Sequence, residues 1–223
     1  MSEWWTYGLR DFLMFSPQTY YRLFELYNLE WWPLQLLALA LGAALVALAW
    51  RGGERGGRAA AAILALAWLW VAWAFHWQRY ASINLAAGWV ALAFALQGVL
   101  LAGAGAAGRL GLAQAGRVPG RIGRGLLLFA GLGFPLMAPL VGRGLAQAEV
   151  FGMVPDPTAL ATLAVLLLAG SRWWLFPIPL AWCLISGATL WAMRSPEFFV
   201  APAAALLVVG LALTKARSWR SGG

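Results

Sequence analysis

Long apolar runs constrain this chain more than any other feature. Crossing about 30 Å of hydrocarbon takes roughly 20 apolar residues in a helix. Seven apolar segments follow one another at 33–50, 59–77, 85–107, 125–142, 157–170, 173–193 and 198–214, the fifth being the shortest. Lipid offers backbone amides no partner, so such segments must satisfy themselves as helices, and their Ala and Leu dominance favours helix over strand. Composition agrees, with 62% hydrophobic and 11% charged residues against about 25% charged in soluble chains. The expected fold class is all-α, a polytopic transmembrane helix bundle of seven spans.

The segment before the first span has a different pattern. Residues 16–28 read SPQTYYRLFELYN and put Tyr20, Leu23, Phe24 and Tyr27 on one face. Phe15 and Tyr20 stand at the spacing of a hydrophobic staple. Thirteen residues carrying Arg22 and Glu25 cannot span, so an amphipathic helix lying in the membrane interface is expected. The chain thus divides into an N-terminal interfacial segment (1–32), a seven-helix domain (33–214) and a basic cytoplasmic tail (215–223).

Several boundaries carry a local signal. Ser16-Pro17, Asp156-Pro157 and Ser195-Pro196 each place a capping side chain before a proline at the first helical position. Pro33 opens the first span. Pro135, Pro139, Pro177, Pro179 and Pro202 are expected to kink spans from within. The N-terminus lacks a basic stretch followed by a short apolar core and a cleavage site, so the first span should insert uncleaved.

Charge sets the expected orientation. With the N-terminus outside, the inner segments 51–58, 108–124, 170–172 and 215–223 hold 11 of the 16 Lys and Arg, in line with the positive-inside rule. Seven of the eight acidic residues fall outside. The chain should therefore run N-out/C-in. The net charge of +8 is then a topological signal and a contact for anionic headgroups; no nucleic-acid partner is expected.

The same inventory excludes much chemistry. No ionisable group lies in the middle of a proposed span, so a retinal Schiff base and a relay of buried carboxylates both lack residues. One histidine and one cysteine cannot supply bis-histidine haem ligation or a metal cage. The GxGxxG at Gly103, Gly105 and Gly108 follows no strand and ends a span, so it reads as small-residue packing. Similar small faces occur at Ala40/Ala44, Ala43/Ala47 and Ala87/Ala91/Ala95.

The remaining polar residues gather on the outer side. Trp73, His76 and Tyr80 share a stripe near the end of the second span, and Asn84 opens the third. Asn28, Glu30 and Gln35 enter at the same level, with Glu149 and Asp156 after the fourth span and Glu197 before the seventh. A shallow pocket built from Asn28, Gln35, His76, Tyr80, Asn84, Glu149 and Asp156 is the candidate site. Each member has a plainer reading. Asp156 and Glu197 suit helix N-termini, His76 suits a bond to Tyr80 or a carbonyl, and Asn84 suits tying the turn. Gln97, mid-span, suits an interhelical hydrogen bond or a contact with a pore or ligand.

Most of the 15 tryptophans fall at span ends, as aromatic belts do, Trp4 and Trp5 among those before the first span. Trp68, Trp70, Trp73, Trp89 and Trp182 lie deeper. They suit lipid, a neighbouring subunit, or a bound quinone or pigment.

Tyr27-Asn28, Trp32-Pro33-Leu34-Gln35, His76 with Ile83-Asn84, and Phe134-Pro135-Leu136 recur in order with a second set. That set is Phe151-Gly152 with Pro155 and Pro157-Thr158, then Ile178-Pro179-Leu180 with Trp182. On these residues the chain resembles a family of multi-pass bacterial membrane proteins that is itself a domain of unknown function. Members tend to carry a cysteine where this chain has Asp156, and a histidine shortly after the fourth span where it has Arg143-Gly144. The resemblance implies a membrane bundle in a bacterial inner (cytoplasmic) membrane and adds no activity. Two functions follow as expectations. The first is a non-catalytic accessory or scaffolding subunit of a larger membrane complex, binding partner helices, lipid or a hydrophobic cofactor. The second is a transporter or channel for a small neutral solute.

Overall fold

The computed structural model describes residues 15–112, 117–170 and 172–220. Trp4 and Trp5 lie outside the described residues, as do the last three residues of the tail and the side chains of Lys215, Arg217, Trp219 and Arg220. The described chain is all-α. Helix α1 is Pro17–Glu30, α2 is Leu34–Arg51, and α3 is Gly53–Trp70 prolonged by a π-helical segment, Val71–Trp77. Helix α4 is Ala87–Ala106. Helix α5 starts as Arg117–Leu128 and runs through a π turn (Phe129–Gly133) and a 3-10 turn (Phe134–Leu136) to Met137–Leu140. Helices α6, α7 and α8 are Pro155–Leu168, Pro177–Ala192 and Val200–Arg220.

Four helices are long and apolar enough to cross a membrane: Leu34–Arg51, Gly53–Ser82, Ala87–Ala106 and Val118–Leu140. The segments Pro155–Leu168, Pro177–Ala192 and Val200–Thr214 are apolar and shorter. Seven helices thus stand where seven apolar segments were expected, and four of them meet span length.

The shortest of these is the centre of the bundle. All 14 residues of α6 are buried, enclosed by α3, α5, α7 and α8. A helix apolar on every side belongs inside a fold. Its two threonines are satisfied locally, Thr158 donating to the Val154 carbonyl and Thr162 to the Thr158 carbonyl. The connection before it is buried as well, at Val150, Phe151, Met153 and Val154. Buried non-helical backbone needs partners. Tyr27 donates to the Met153 carbonyl at 2.9 Å, and Gly152 N–H donates to Thr158 Oγ1 at 2.9 Å.

Small residues let the other helices close on one another. On α2 the buried small residues are Ala38, Gly42 and Ala49, whereas Ala40, Ala43 and Ala47 are exposed. In an Ala-rich helix the alanines alone do not select a face; Gly42 does, because a methyl there would overlap the Gly131 carbonyl of α5. Gly105 of α4 sits against Ala61 of α3. Gly108, at φ +64°, only ends α4, and Gly103 faces open space.

The prolines act differently from expectation in three cases of five. Pro135 and Pro139 interrupt α5, where each removes an amide the helical ladder needs, and the π and 3-10 turns lie there. Pro177, Pro179 and Pro202 fall in first turns, where that amide is unbonded anyway.

Candidate functional site

The α1 end of the bundle gathers nearly every polar side chain singled out in the sequence. Ser16 caps α1, its Oγ accepting from Thr19 N–H at 3.1 Å. The Phe15 and Tyr20 rings stack at 5.6 Å. Tyr20, Leu23, Phe24 and Tyr27 then form the buried face, as their spacing predicts. Asn28, at the end of α1, donates to the carbonyls of Ala146 and Ala148 at 2.9 and 2.8 Å. Gln35 donates to the Asn28 carbonyl at 2.8 Å, while its own buried Oε1 has no partner among the described residues. Asn28 and Gln35 therefore fasten α1 to α2 and to the 145–148 turn.

His76 is fully buried, and neither ring nitrogen has a partner among the described residues. Aromatic rings surround it: Phe94 at 4.4 Å, Trp182 at 5.0 Å, Phe75 at 5.4 Å and Tyr80 at 5.9 Å between centroids. It bonds neither Tyr80 nor a carbonyl. Trp182 links this cage to a second setting, since its indole N–H donates to Asp156 Oδ1 at 2.7 Å. Ser186 donates to Asp156 Oδ2 at 2.6 Å. Helix α6 begins at Pro155 after extended Val154, so Asp156 lies inside the first turn and reaches across to α7 in place of capping.

Beside Asp156 lies a cluster that crosses most of the chain. Arg143 Nη2 stands 3.3 Å from Glu149 Oε1 and 3.2 Å from Glu197 Oε1, and its guanidinium lies 4.4 Å over the Tyr21 ring. The Tyr21 hydroxyl donates to Glu197 at 2.9 Å and is 2.6 Å from Ser195 Oγ. Ser195 thus binds α1, and α8 starts only at Val200. Arg143, Glu149, Asp156 and Glu197 line a cleft of about 10 Å³, room for roughly one water. Burial raises the Glu149 carboxyl well above the usual carboxylate range; the Asp156 charge adds to this and Arg143 works against it. Burial likewise raises the Tyr21 phenol, with Ser195 opposing.

The remaining candidates stand apart. Asn84 Oδ1 accepts from Ala86 N–H at 2.9 Å, tying the turn into α4. It also lines an open groove of about 410 Å³ between the start of α1 and residues 81–85. Gln97 is buried and donates to the Leu175 carbonyl at 3.1 Å. Of the deep tryptophans, Trp68, Trp70 and Trp182 are donors inside the protein, to Thr162, Tyr27 and Asp156. Trp73 and Trp89 are exposed.

Glu149 and Asp156 are thus brought into one cleft, His76 and Tyr80 into one cage beside it, and Asn28 and Gln35 into one joint. Sequence reasoning missed Arg143, Tyr21, Ser186 and Ser195 as members. Arg143 carried a usable signal, since it shares the connection after the fourth span with Glu149 and Asp156. Among the described residues no trio of His, Cys, Asp or Glu is placed to hold a metal ion.

A different surface offers apolar space. A groove of about 310 Å³ opens between α2 and α3, lined by Leu34, Leu37, Leu41, Leu66, Trp70 and Met153 among others.

Residues 17–222 match a family of unknown function (DUF6064), and the chain belongs to that family. No curated protein and no solved structure matches it.

Proposed function

We propose that this family member is a non-catalytic integral membrane protein of seven spans, N-out/C-in, in the bacterial inner membrane. In this reading it acts as an accessory subunit that accommodates an apolar chain or partner helix along α2 and α3. The α2–α3 groove carries the reading. Its lining is wholly apolar or glycine, and Leu37 and Leu66 in it, with Leu36 beside it, are more than half exposed. Exposed leucines at this density on a helix face suit hydrocarbon or another protein. Helices α4, α7 and α8 show the same, with Trp89, Val99, Leu184 and Leu206 exposed.

Three short helices fit seven spans through their positions. Helix α6 is about 21 Å long at 1.5 Å per residue, but protein encloses it, and non-helical backbone is tolerated at membrane depth under that condition. A solute pathway through Gln97 is less favoured, since that amide is packed away and bonded to Leu175.

Purification in mild detergent, followed by identification of the accompanying protein, lipid or pigment, tests the proposal. Leu37→Trp and Leu66→Trp, at exposed positions that line the groove, should abolish that association and leave the fold intact. A lone monomer without any associated subunit, pigment or lipid contradicts it.

A further inference from the structure

The Arg143 cluster is over-supplied with acid. Glu149 and Glu197 share one guanidinium, Asp156 lines the same cleft, and all three acids are buried. Uncompensated charge away from water is strongly disfavoured, so the cleft requires a further positive charge. A cleft of about 10 Å³ has no room for a hydrated cation. Among the described residues no ligand trio for a metal is present either.

The hydrogen bonds sort the three acids. Asp156 accepts two neutral donors, Trp182 and Ser186. Glu197 Oε1 accepts from Tyr21 and faces Arg143. Among the described residues Glu149 has only the 3.3 Å contact to Arg143, the poorest support of the three carboxyl groups. The second oxygen of Glu197, Oε2, is buried without a partner among the described residues, on a residue 8% exposed that lines the same cleft. It is an acceptor without a donor, beside an acid without enough donors.

We propose that this cleft is a proton-binding site in which Glu149 carries the proton, Glu197 Oε2 accepts its hydrogen bond directly or through one water, and the bound proton keeps α1 docked through Tyr21. Uptake from water turns the Glu149 carboxylate into the acid and removes one negative charge opposite Glu197. Release restores two carboxylates at the same Arg143 nitrogen, which loosens the guanidinium from Glu197 and from the Tyr21 ring above which it lies. The raised affinity of Glu149 for its proton agrees in direction. Tyr20 and Tyr21 face the cluster from α1, Arg143 from the segment of Glu149 itself, Asp156 from α6 and Glu197 from the segment before α8. Behind Asp156 stand Tyr80 of the helix following α3, Cys183 of α7 and, across Trp182, His76.

Infrared difference spectroscopy of the full-length protein in nanodiscs reads the proton directly. A carboxylic-acid carbonyl band should be present at pH 7, titrate at least one unit above an ordinary glutamate, vanish in Glu149→Gln and persist in Asp156→Asn. Hydrogen-exchange protection of α1 should fall at least tenfold in the wild type as the band titrates, and stay constant in Glu149→Gln. The wild-type titration stands without any variant. Absence of the band at pH 7, its survival in Glu149→Gln, its removal by sodium at constant pH, or unchanged α1 protection across the titration each overturns the proposal. None of these readouts depends on what occupies the α2–α3 groove.

Discussion

The indole N–H of Trp182 on α7 donates to Asp156 Oδ1 on α6 at 2.7 Å, while the same indole packs 5.0 Å from the His76 ring on α3. Three helices meet at one side chain. Trp182→Phe keeps most of the packing and removes the donor, leaving Asp156 with Ser186 alone. A buried acceptor losing one partner costs about 1–3 kcal/mol. Thermal unfolding in detergent should show that loss, and an unchanged midpoint would mean the bond contributes nothing.

His76 makes the opposite case. Both nitrogens are buried without a partner among the described residues, which is costly, while the ring itself packs well. His76→Phe should therefore be neutral or stabilising by about 1–3 kcal/mol. A clear destabilisation would show that the imidazole bonds something in the membrane that the isolated chain lacks.

Arg143→Leu removes the cation from between Glu149 and Glu197. Both carboxyl groups are about nine-tenths buried, and stranding buried charge costs about 3–5 kcal/mol. With Glu149 protonated, the stranded charge is that of Glu197, so the penalty should shrink when Glu197→Gln is added. Additive effects would contradict a shared site, because contacting residues couple.

The sign of the pH dependence follows from Glu149. Its folded-state proton affinity is raised above that of an ordinary carboxyl, so the folded protein binds more protons than the unfolded chain across the intervening range. Stability then falls as pH rises from the ordinary carboxylate range through the raised value, and is greater on the acid side. Chemical-denaturation midpoints across that range should show the slope in the wild type and a flatter line in Glu149→Gln. A rising slope contradicts the assignment.

Gly42 and Gly103 separate packing glycines from idle ones. Gly42→Ala would drive a methyl into the Gly131 backbone and should cost about 1–3 kcal/mol. Gly103 faces open space, so Gly103→Ala should stabilise α4 by up to about 1 kcal/mol. Equal effects would mean that α2 and α5 do not touch as described.

Much of the helix layout was legible because period and length are local properties. The buried face of α1 and the Ser16 cap follow from residues within one turn of each other. Asp156 was misread for the same reason. Asp-Pro looks like a cap, yet Pro155 suits the first helical position equally well, and only the distant Trp182 and Ser186 reveal what the carboxylate does. Arg143, Tyr21 and Glu197 meet across more than 170 residues, which no local pattern encodes. On α2, alanine covers every side, so its composition could not say which side closes on α5.

Topology tests the account most directly. In a Cys183→Ser background, Ser82→Cys at the α1 end and Ala107→Cys at the other end are both exposed positions. A membrane-impermeant maleimide applied to intact cells should label Ser82→Cys and spare Ala107→Cys until the membrane is permeabilised. Labelling of both without permeabilisation, or of Ala107→Cys alone, would contradict an N-out membrane bundle with the charged cluster on its outer side.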